Sequence, residues 1–384
     1  MRFEFATAGK ILFGPGVTSE LPDIVAAQGK RVFVLTGSTS ERYNQILDSL
    51  AQAGLQATVF HVSSEPTTET AIAAIAQVRQ AKAEVVVGIG GGSVIDTGKV
   101  VAAMLTNHGG LTDYLEVVGA GRPLKHVSAP YVAVPTTAGT GAEVTRNAVL
   151  MVPEHRVKVS MRSPLLLPRL ALVDPLLTHS MPPSVTAATG LDALTQLAEA
   201  FVSKKANPLT DGVCREGLAR AGRSLRRAFE NGNDADARED MAVASLFSGL
   251  ALANAGLGAV HGFAGPLGGM IDAPHGLICG KLLPFVTETN VAALRDRAAD
   301  SPALTRFDEI ARILTGNEKA KASDAVEWTR QLCNTFRLPG LRQFGLREEA
   351  FSTAVAKARK ASSMKGNPIE LRDEELTAVL QAAM

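Results

Sequence analysis

Asp192 and Gln196 stand four residues apart in TGLDALTQLAEAF, and far downstream His261 and His275 bracket a Gly/Pro-rich stretch, VHGFAGPLGGMIDAPHG. One carboxylate and two imidazoles suit Fe(II) or Zn(II), with positions left open for a substrate oxygen. On a helix, residues i and i+4 share a face, so Asp192 and Gln196 would point the same way, with Glu199 following on that side. Gln196 is the discordant member, because a neutral amide oxygen is a weaker donor to a transition metal than an imidazole. His261 is expected near the end of a long uncharged helix, and His275 in a loop after Pro274. Any one of these residues alone means little: a histidine beside an apolar helix is more often a hydrogen-bonded core residue than a ligand.

A second set of residues points to phosphate. EVVVGIGGGSVIDTGK places Gly88, Gly90, Gly91 and Gly92 between a strand and a helix, with Ser93 as N-cap and Asp96 three residues later, as in a capping box. Glycines let the backbone approach a phosphate, and free N–H groups at a helix start favour its charge. The spacing is neither a P-loop, since Lys99 lies too far past the last glycine, nor a clean GxGxxG. VAVPTTAGTGAEVT then offers the hydroxyls of Thr136, Thr137 and Thr140, with Gly139 and Gly141 for close approach. Two such loops at the carboxyl end of one parallel sheet suit a dinucleotide. Each alone could be a tight glycine turn or ordinary hydroxyl-turn chemistry.

The strand RVFVL runs into TGSTSER. Thr36, Gly37, Ser38 and Ser40 supply no carboxylate for a ribose 2′-hydroxyl, and Arg42 is close by. That favours NADP(H) over NAD, with Gly37 and Ser38 among the cofactor contacts; the plainer alternative is a polar loop.

The elements that must position these groups change character along the chain. Residues 31–35, 58–62, 84–89, 131–134 and 170–173 are short, Val-rich runs closed by turn formers and read as strands. Between them, 41–53, 68–81 and 93–106 carry apolar residues at helical spacing. The alternation implies parallel strands with helices on both faces. Beyond Pro182-Pro183 only helical patterns remain: 183–203, 208–229, 237–262, 304–315, 322–336, 348–361 and 373–383. The expected architecture is a Rossmann-like α/β dinucleotide-binding domain over 1–181 and an all-α metal and substrate domain over 182–384, with ligands in the cleft between them.

Composition narrows the class. The 384 residues are 46% hydrophobic and 20% charged with a net charge of +1, which excludes a disordered chain and gives no electrostatic pull toward nucleic acid or an anionic membrane. Residues 241–260 hold no charge and are long enough to span a bilayer, yet their Ala, Gly, Ser and Asn content reads as a buried helix. Three widely spaced cysteines and an N-terminus without a signal-peptide core fit a reducing, cytoplasmic protein.

In order, FGPG (13–16), GGGSVID (90–96) with Lys99, PTTAGTGAEVT (135–145), LVDP (172–175), GLDALTQLAE (190–199) and the His261–His275 segment resemble the iron-containing (group III) alcohol dehydrogenases, which have the dehydroquinate-synthase-like fold. The resemblance covers nearly the whole chain. It implies hydride transfer between NAD(P)(H) and an alcohol, aldehyde or ketone, with the substrate oxygen on a divalent metal. It also implies that Asp192, His261 and His275 are ligands, Gln196 standing where the family usually has a third histidine. Gly265 replaces a family histidine associated with proton transfer. Asp96, Lys99 and Lys158 match cofactor-side residues, and a homodimer through FEFATAGKILFG is expected by analogy.

Within the fold, maleylacetate-reductase-like reduction of a dicarboxylate is the nearest alternative, but those relatives generally lack the GGGSxxD aspartate and the Asp192 equivalent. A carbon–oxygen lyase of the dehydroquinate synthase type shares fold and cofactor. A nucleotide-binding relative with an impaired metal site and little catalysis is the third.

Overall fold

The computed structural model describes residues 2–384 except 39–42, 64 and 156. The chain forms two compact units, one from Ala6–Thr137 with Gly141–His179, the other from Ser180–Met384 with Ala138–Thr140 and the residues up to Phe5.

The first unit is built on a six-stranded parallel sheet. Its strands are β1 (Ile11–Phe13), β2 (Arg31–Gly37), β3 (Gln56–Val62), β4 (Val85–Gly90), β5 (Tyr131–Pro135) and β8 (Leu170–Val173), in the spatial order β1-β8-β5-β4-β2-β3. β6 (Asn147–Val152) and β7 (Val157–Arg162) form a separate antiparallel hairpin. Helices α1 (Leu21–Ala26), α2 (Asn44–Gln52), α3 (Thr68–Gln80) and α4 (Gly92–Thr106) connect the strands. Alternate side chains on β2 enter different cores, Val32 and Val34 on one side, Phe33 and Leu35 on the other. Burial on both faces explains why these strands read as continuous apolar runs. All five expected strands are present; β1 and the β6–β7 hairpin are additional.

Two of the sequence motifs prove to be one structural device. Asp174 of LVDP accepts hydrogen bonds from the Gly16 and Thr18 amides (3.0 and 3.2 Å) and the Thr18 hydroxyl (2.5 Å), so its carboxylate holds the FGPG turn. Gly16 has φ of 80°, a left-handed value that favours glycine. At the sheet centre Tyr131 lies between β4 and α4, its hydroxyl donating to the Ile95 carbonyl (2.9 Å). A Cβ on either Gly88 or Gly98 would collide with that hydroxyl, so both positions are glycine because of the ring.

The second unit is all-helical: α5 (Pro183–Val202), α6 (Pro208–Glu230), α7 (Ala235–Ala255), α8 (Ala259–Leu267), α9 (His275–Arg297), α10 (Pro302–Thr315), α11 (Ala322–Thr335), α12 (Phe351–Lys360) and α13 (Asp373–Ala382). The uncharged stretch 241–260 is not one helix. Gly256, at φ 66°, ends α7, and the chain turns by 100° into α8. α9 is by length and composition apolar enough to cross a membrane, but Leu277, Ile278, Leu282, Leu283 and Val286 bury it in the helical core.

Candidate active site

α5 presents Asp192, Gln196 and Glu199, all buried. Two expectations for the histidines need correction. His261 lies not at the end of a long helix but in the first turn of α8, and His275 is the first residue of α9 rather than a loop residue. The pattern concealed α9 because Gly276, Gly280 and Pro284 interrupt it. Those glycines permit close packing. A Cβ at Gly276 would strike the Ala188 carbonyl, and one at Gly280 would strike Leu191, so α9 lies directly against α5. Close approach brings His275 and, one turn later, Cys279 up to Asp192.

The start of α8 has no side-chain cap of its own. Its free amides are taken instead by groups from elsewhere in the unit: Asn367 Oδ1 accepts from Ala259 (3.1 Å), Glu199 Oε1 from Val260 (2.6 Å), and Glu199 Oε2 from His261 (3.3 Å). Glu199 Oε2 also meets His261 Nδ1 at 2.7 Å. A carboxylate oxygen accepts, so Nδ1 carries the proton and Nε2 faces Asp192 Oδ1 at 3.2 Å and Cys279 Sγ at 3.7 Å. An imidazole held this way by a carboxylate has the tautomer and ring orientation of a metal-ligating histidine. His275 Nε2 lies 3.9 Å from the same Asp192 oxygen, and the two imidazole rings are 5.5 Å apart.

Asp192, His261, His275 and Cys279 therefore place one donor atom each within 4.8 Å of one another. Burial pushes the Asp192 carboxyl up, but the hydrogen bond from His261, the nearby imidazoles and the Gln196 side chain outweigh it and hold it below the usual range. Burial pulls both imidazoles down, while the Cys279 sulfur and neighbouring carboxylates raise them above the ordinary histidine value. The Gln196 Oε1 atom is buried with no hydrogen-bond partner, a costly arrangement that a cation in the cluster would relieve. Donor chemistry and orphaned oxygen both fit a divalent metal. Reading the sequence for ligands missed Cys279, although its i, i+4 spacing from His275 was visible; the signal appears only once α9 is known to be a helix. At Gly265 a Cβ would meet nothing within 4 Å, so the position is open.

In the sheet unit, Gly90 ends β4 and Gly91, Gly92 and Ser93 follow it, and Thr136 and Thr137 follow β5 beside it. Gly37 ends β2, the neighbour of β4 on its other side, and Ser38 follows it. β3 leaves β2 in one direction and β4 lies in the other, the topological switch at which open α/β sheets bind ligands. The N-cap of α4 is Gly91, not Ser93, and no side chain caps it. The capping box is absent because Asp96 is engaged elsewhere, accepting from the Val149 amide (2.9 Å) and from Lys99 Nζ (3.1 Å). Lys99 also donates to Thr145 Oγ1 (2.8 Å) and the Asn147 carbonyl (2.7 Å), which engages all three ammonium protons. These two residues thus pin α4 to the β6 segment.

Of the hydroxyls, Thr136 is buried and 3.4 Å from the Tyr43 hydroxyl, and its amide donates to Gly90 (2.9 Å), which ties the two loops together. Thr140 belongs to the helical unit. Lys158 on β7 is ion-paired with Glu65 at 2.6 Å. At the end of β2, Thr36 Oγ1 bonds His61 Nδ1 (2.9 Å), and none of Thr36, Gly37 and Ser38 is acidic. Ser40 and Arg42 lie outside the described residues.

The same threonine-rich segment holds a buried acid. Loss of hydration pushes the Glu143 carboxyl up to about 7, against the pull of a backbone hydrogen bond and of Lys99. A carboxyl raised in the folded state binds more protons folded than unfolded between about 4.5 and 7, so its contribution falls as pH rises through that window. The expected loss is on the order of 3 kcal/mol. Urea melts at pH 5 and pH 8 should show Glu143→Gln losing less stability between the two than the parent chain does; equal losses would refute this.

A parallel sheet that offers an uncapped helix start at its switch point, in a chain that also gathers buried metal donors, defines a nicotinamide-linked, metal-dependent oxidoreductase. Comparison with known proteins makes the class specific. Residues 8–175 match the family model "Iron-containing alcohol dehydrogenase", and 186–384 match "Fe-containing alcohol dehydrogenase family, C-terminal". The 1,3-propanediol dehydrogenase of Klebsiella pneumoniae is 34% identical over 99% of this chain and 98% of its own length. The 4-hydroxybutyrate dehydrogenase of Cupriavidus necator is 37% identical over 87% of each. The structure of the alcohol dehydrogenase from Oenococcus oeni superimposes with a TM-score of 0.91, at 32% identity and full coverage of both chains. The chain belongs to the iron-containing alcohol dehydrogenase family. It is an NAD(P)-dependent alcohol dehydrogenase acting on small-molecule alcohols, and its family brings NAD(H) and a divalent metal, iron in the family's name.

Proposed function

We propose that Asp192, His261 and His275 hold the divalent cation, with the Gln196 amide oxygen as a weak fourth donor, and that the cofactor is NADP(H) in preference to NAD(H). The observation that carries the metal reading is the buried donor cluster with His261 oriented by Glu199. A divalent cation at such a cluster supplies Lewis-acid polarisation of a carbonyl oxygen, and the dinucleotide supplies the hydride. The protein's part is orientation and charge. Glu199 sets the His261 tautomer, and Asp192 contributes negative charge in a buried setting. Gly265 leaves space and no titratable group, so water or the ribose hydroxyls must carry the proton that a histidine would relay.

On the cofactor side, Gly90, Gly91, Gly92 and Ser93 offer amides to the phosphates, Thr136, Thr137 and Thr140 offer hydroxyls, and Gly37 and Ser38 border the ribose. Asp96 and Lys99 keep α4 in place behind them, and Lys158 serves the same side through its pair with Glu65. The absence of an acid among Thr36, Gly37 and Ser38 favours a 2′-phosphate. Initial rates with aldehydes should show a lower KM for NADPH than for NADH; the reverse order would overturn the preference. The relatives' names make 3-hydroxypropanal and the semialdehyde of a four-carbon hydroxy acid sensible first substrates.

Gln196 makes iron or zinc retention weaker than three imidazoles would. Gln196→His should tighten metal binding at least tenfold in chelator competition, and an unchanged affinity would show that 196 is not a ligand position. A homodimer is proposed through β1, which lies at one edge of the sheet; a monomer by sedimentation velocity would contradict it. Cytoplasmic residence is likewise proposed from the three free thiols.

A further inference from the structure

Gln196 leaves the metal cluster one strong donor short, and α9 supplies a candidate that the family motifs do not include. We infer that Cys279 is a thiolate ligand of the catalytic cation, giving an Asp192–His261–His275–Cys279 donor set. This rests on the metal-dependent reading above and deepens it.

Geometry supports the assignment from several directions. Cys279 and His275 are i and i+4 on α9, so they share a face. That face is pressed onto α5 at Asp192 by the Gly276 and Gly280 contacts. The Cys279 Sγ atom lies 3.7 Å from His261 Nε2, the one ring nitrogen that Glu199 leaves free. Tetrahedral sites with metal–nitrogen and metal–sulfur bonds near 2.1 and 2.3 Å have donor atoms about 3.4–3.8 Å apart. The His261–Asp192 separation of 3.2 Å and the 4.8 Å spread of all four atoms leave only small side-chain adjustments to form such a shell, to which a substrate oxygen would add as a fifth ligand.

The other two cysteines have no such surroundings. Burial pushes the Cys333 thiol up to about 11 and raises Cys214 further still, and Cys333 donates to the Gly280 carbonyl at 3.4 Å. Both are ordinary core thiols, whereas Cys279 faces two imidazoles and a carboxylate. Binding needs no oxidant: the sulfur forms its bond to the cation as its proton leaves to solvent. The charges then balance, since a carboxylate and a thiolate together neutralise a divalent ion. A thiolate is a softer donor than the imidazole it stands in for, which moves the site's preference from iron toward zinc.

Cobalt(II) reports sulfur ligation directly, through a thiolate-to-cobalt charge-transfer band in the near ultraviolet. Purified full-length protein, stripped and reloaded with cobalt(II), should bind one equivalent and show the band. Cys279→Ser should lose the band and bind cobalt at least tenfold more weakly with unchanged circular dichroism, while Cys333→Ser keeps both. One equivalent of bound cobalt with no band, or a band that survives Cys279→Ser, overturns the thiolate assignment and leaves the metal-dependent reading standing. Failure of the parent protein to bind cobalt, zinc or iron at all overturns both.

Discussion

Asp192→Ala should abolish metal retention and lower kcat/KM by about three orders of magnitude or more. Asp192 is the hub of the cluster: it contacts His261 and His275 and is bonded by Gln196. It is also the only carboxylate among the four clustered donors. Removing it leaves the buried His261 and the half-buried His275 imidazoles facing each other with less negative charge to hold a cation. Lewis-acid stabilisation of a developing alkoxide contributes several kcal/mol, and each 1.36 kcal/mol is tenfold in rate. The check is steady-state kinetics with metal analysis of the same preparation. A variant that keeps its metal and more than a tenth of the parent activity would contradict the assignment.

Glu199 should behave differently, because it acts through His261. Glu199→Gln can still accept from the Val260 amide, and its predicted result is a 10- to 100-fold loss of metal affinity, typical of removing a carboxylate that orients a ligating histidine. Excess metal should restore much of the activity. Glu199→Ala removes the acceptor for two buried amides at the start of α8 as well as for His261 Nδ1. It should cost several kcal/mol of stability in addition. Chelator competition and thermal melts on both variants separate the two effects; equal melting temperatures for glutamine and alanine would show that Glu199 does not cap α8.

These two residues show how unevenly the site could be read in the sequence. Asp192, Gln196 and Glu199 were legible because one uninterrupted helix carries them at spacings that fix their face. The strands β2, β4, β5 and β8 were legible because burial on both faces makes each a short apolar run bounded by turn formers, and the edge strand β3 because Thr58, Val59, Phe60 and Val62 favour strand. β1 was missed because three residues make too short a pattern.

The errors at His261 and His275 have one cause. Where a backbone must bend sharply, as at Gly256, or approach a neighbour closely, as at Gly276 and Gly280, the chain uses glycines that local pattern reads as breaks. Those glycines place the histidines, and they also hid Cys279. In the same way GGGSVID looked like a capping box, yet Asp96 is drawn away by Val149 and Lys99, partners set by the fold and not by the capping pattern. The uncapped α4 that results is better suited to a phosphate than the capped helix expected.

The central claim, a working metal-dependent dehydrogenase despite Gln196 and Gly265, is tested most directly by metal content and turnover measured together. Protein purified without chelator should carry about one divalent cation per chain, and should oxidise NADPH or NADH with small aldehydes. Chelation should abolish that activity, and zinc or iron should restore it. Metal-free protein that neither binds added cation nor oxidises either cofactor across an aldehyde panel would contradict the account.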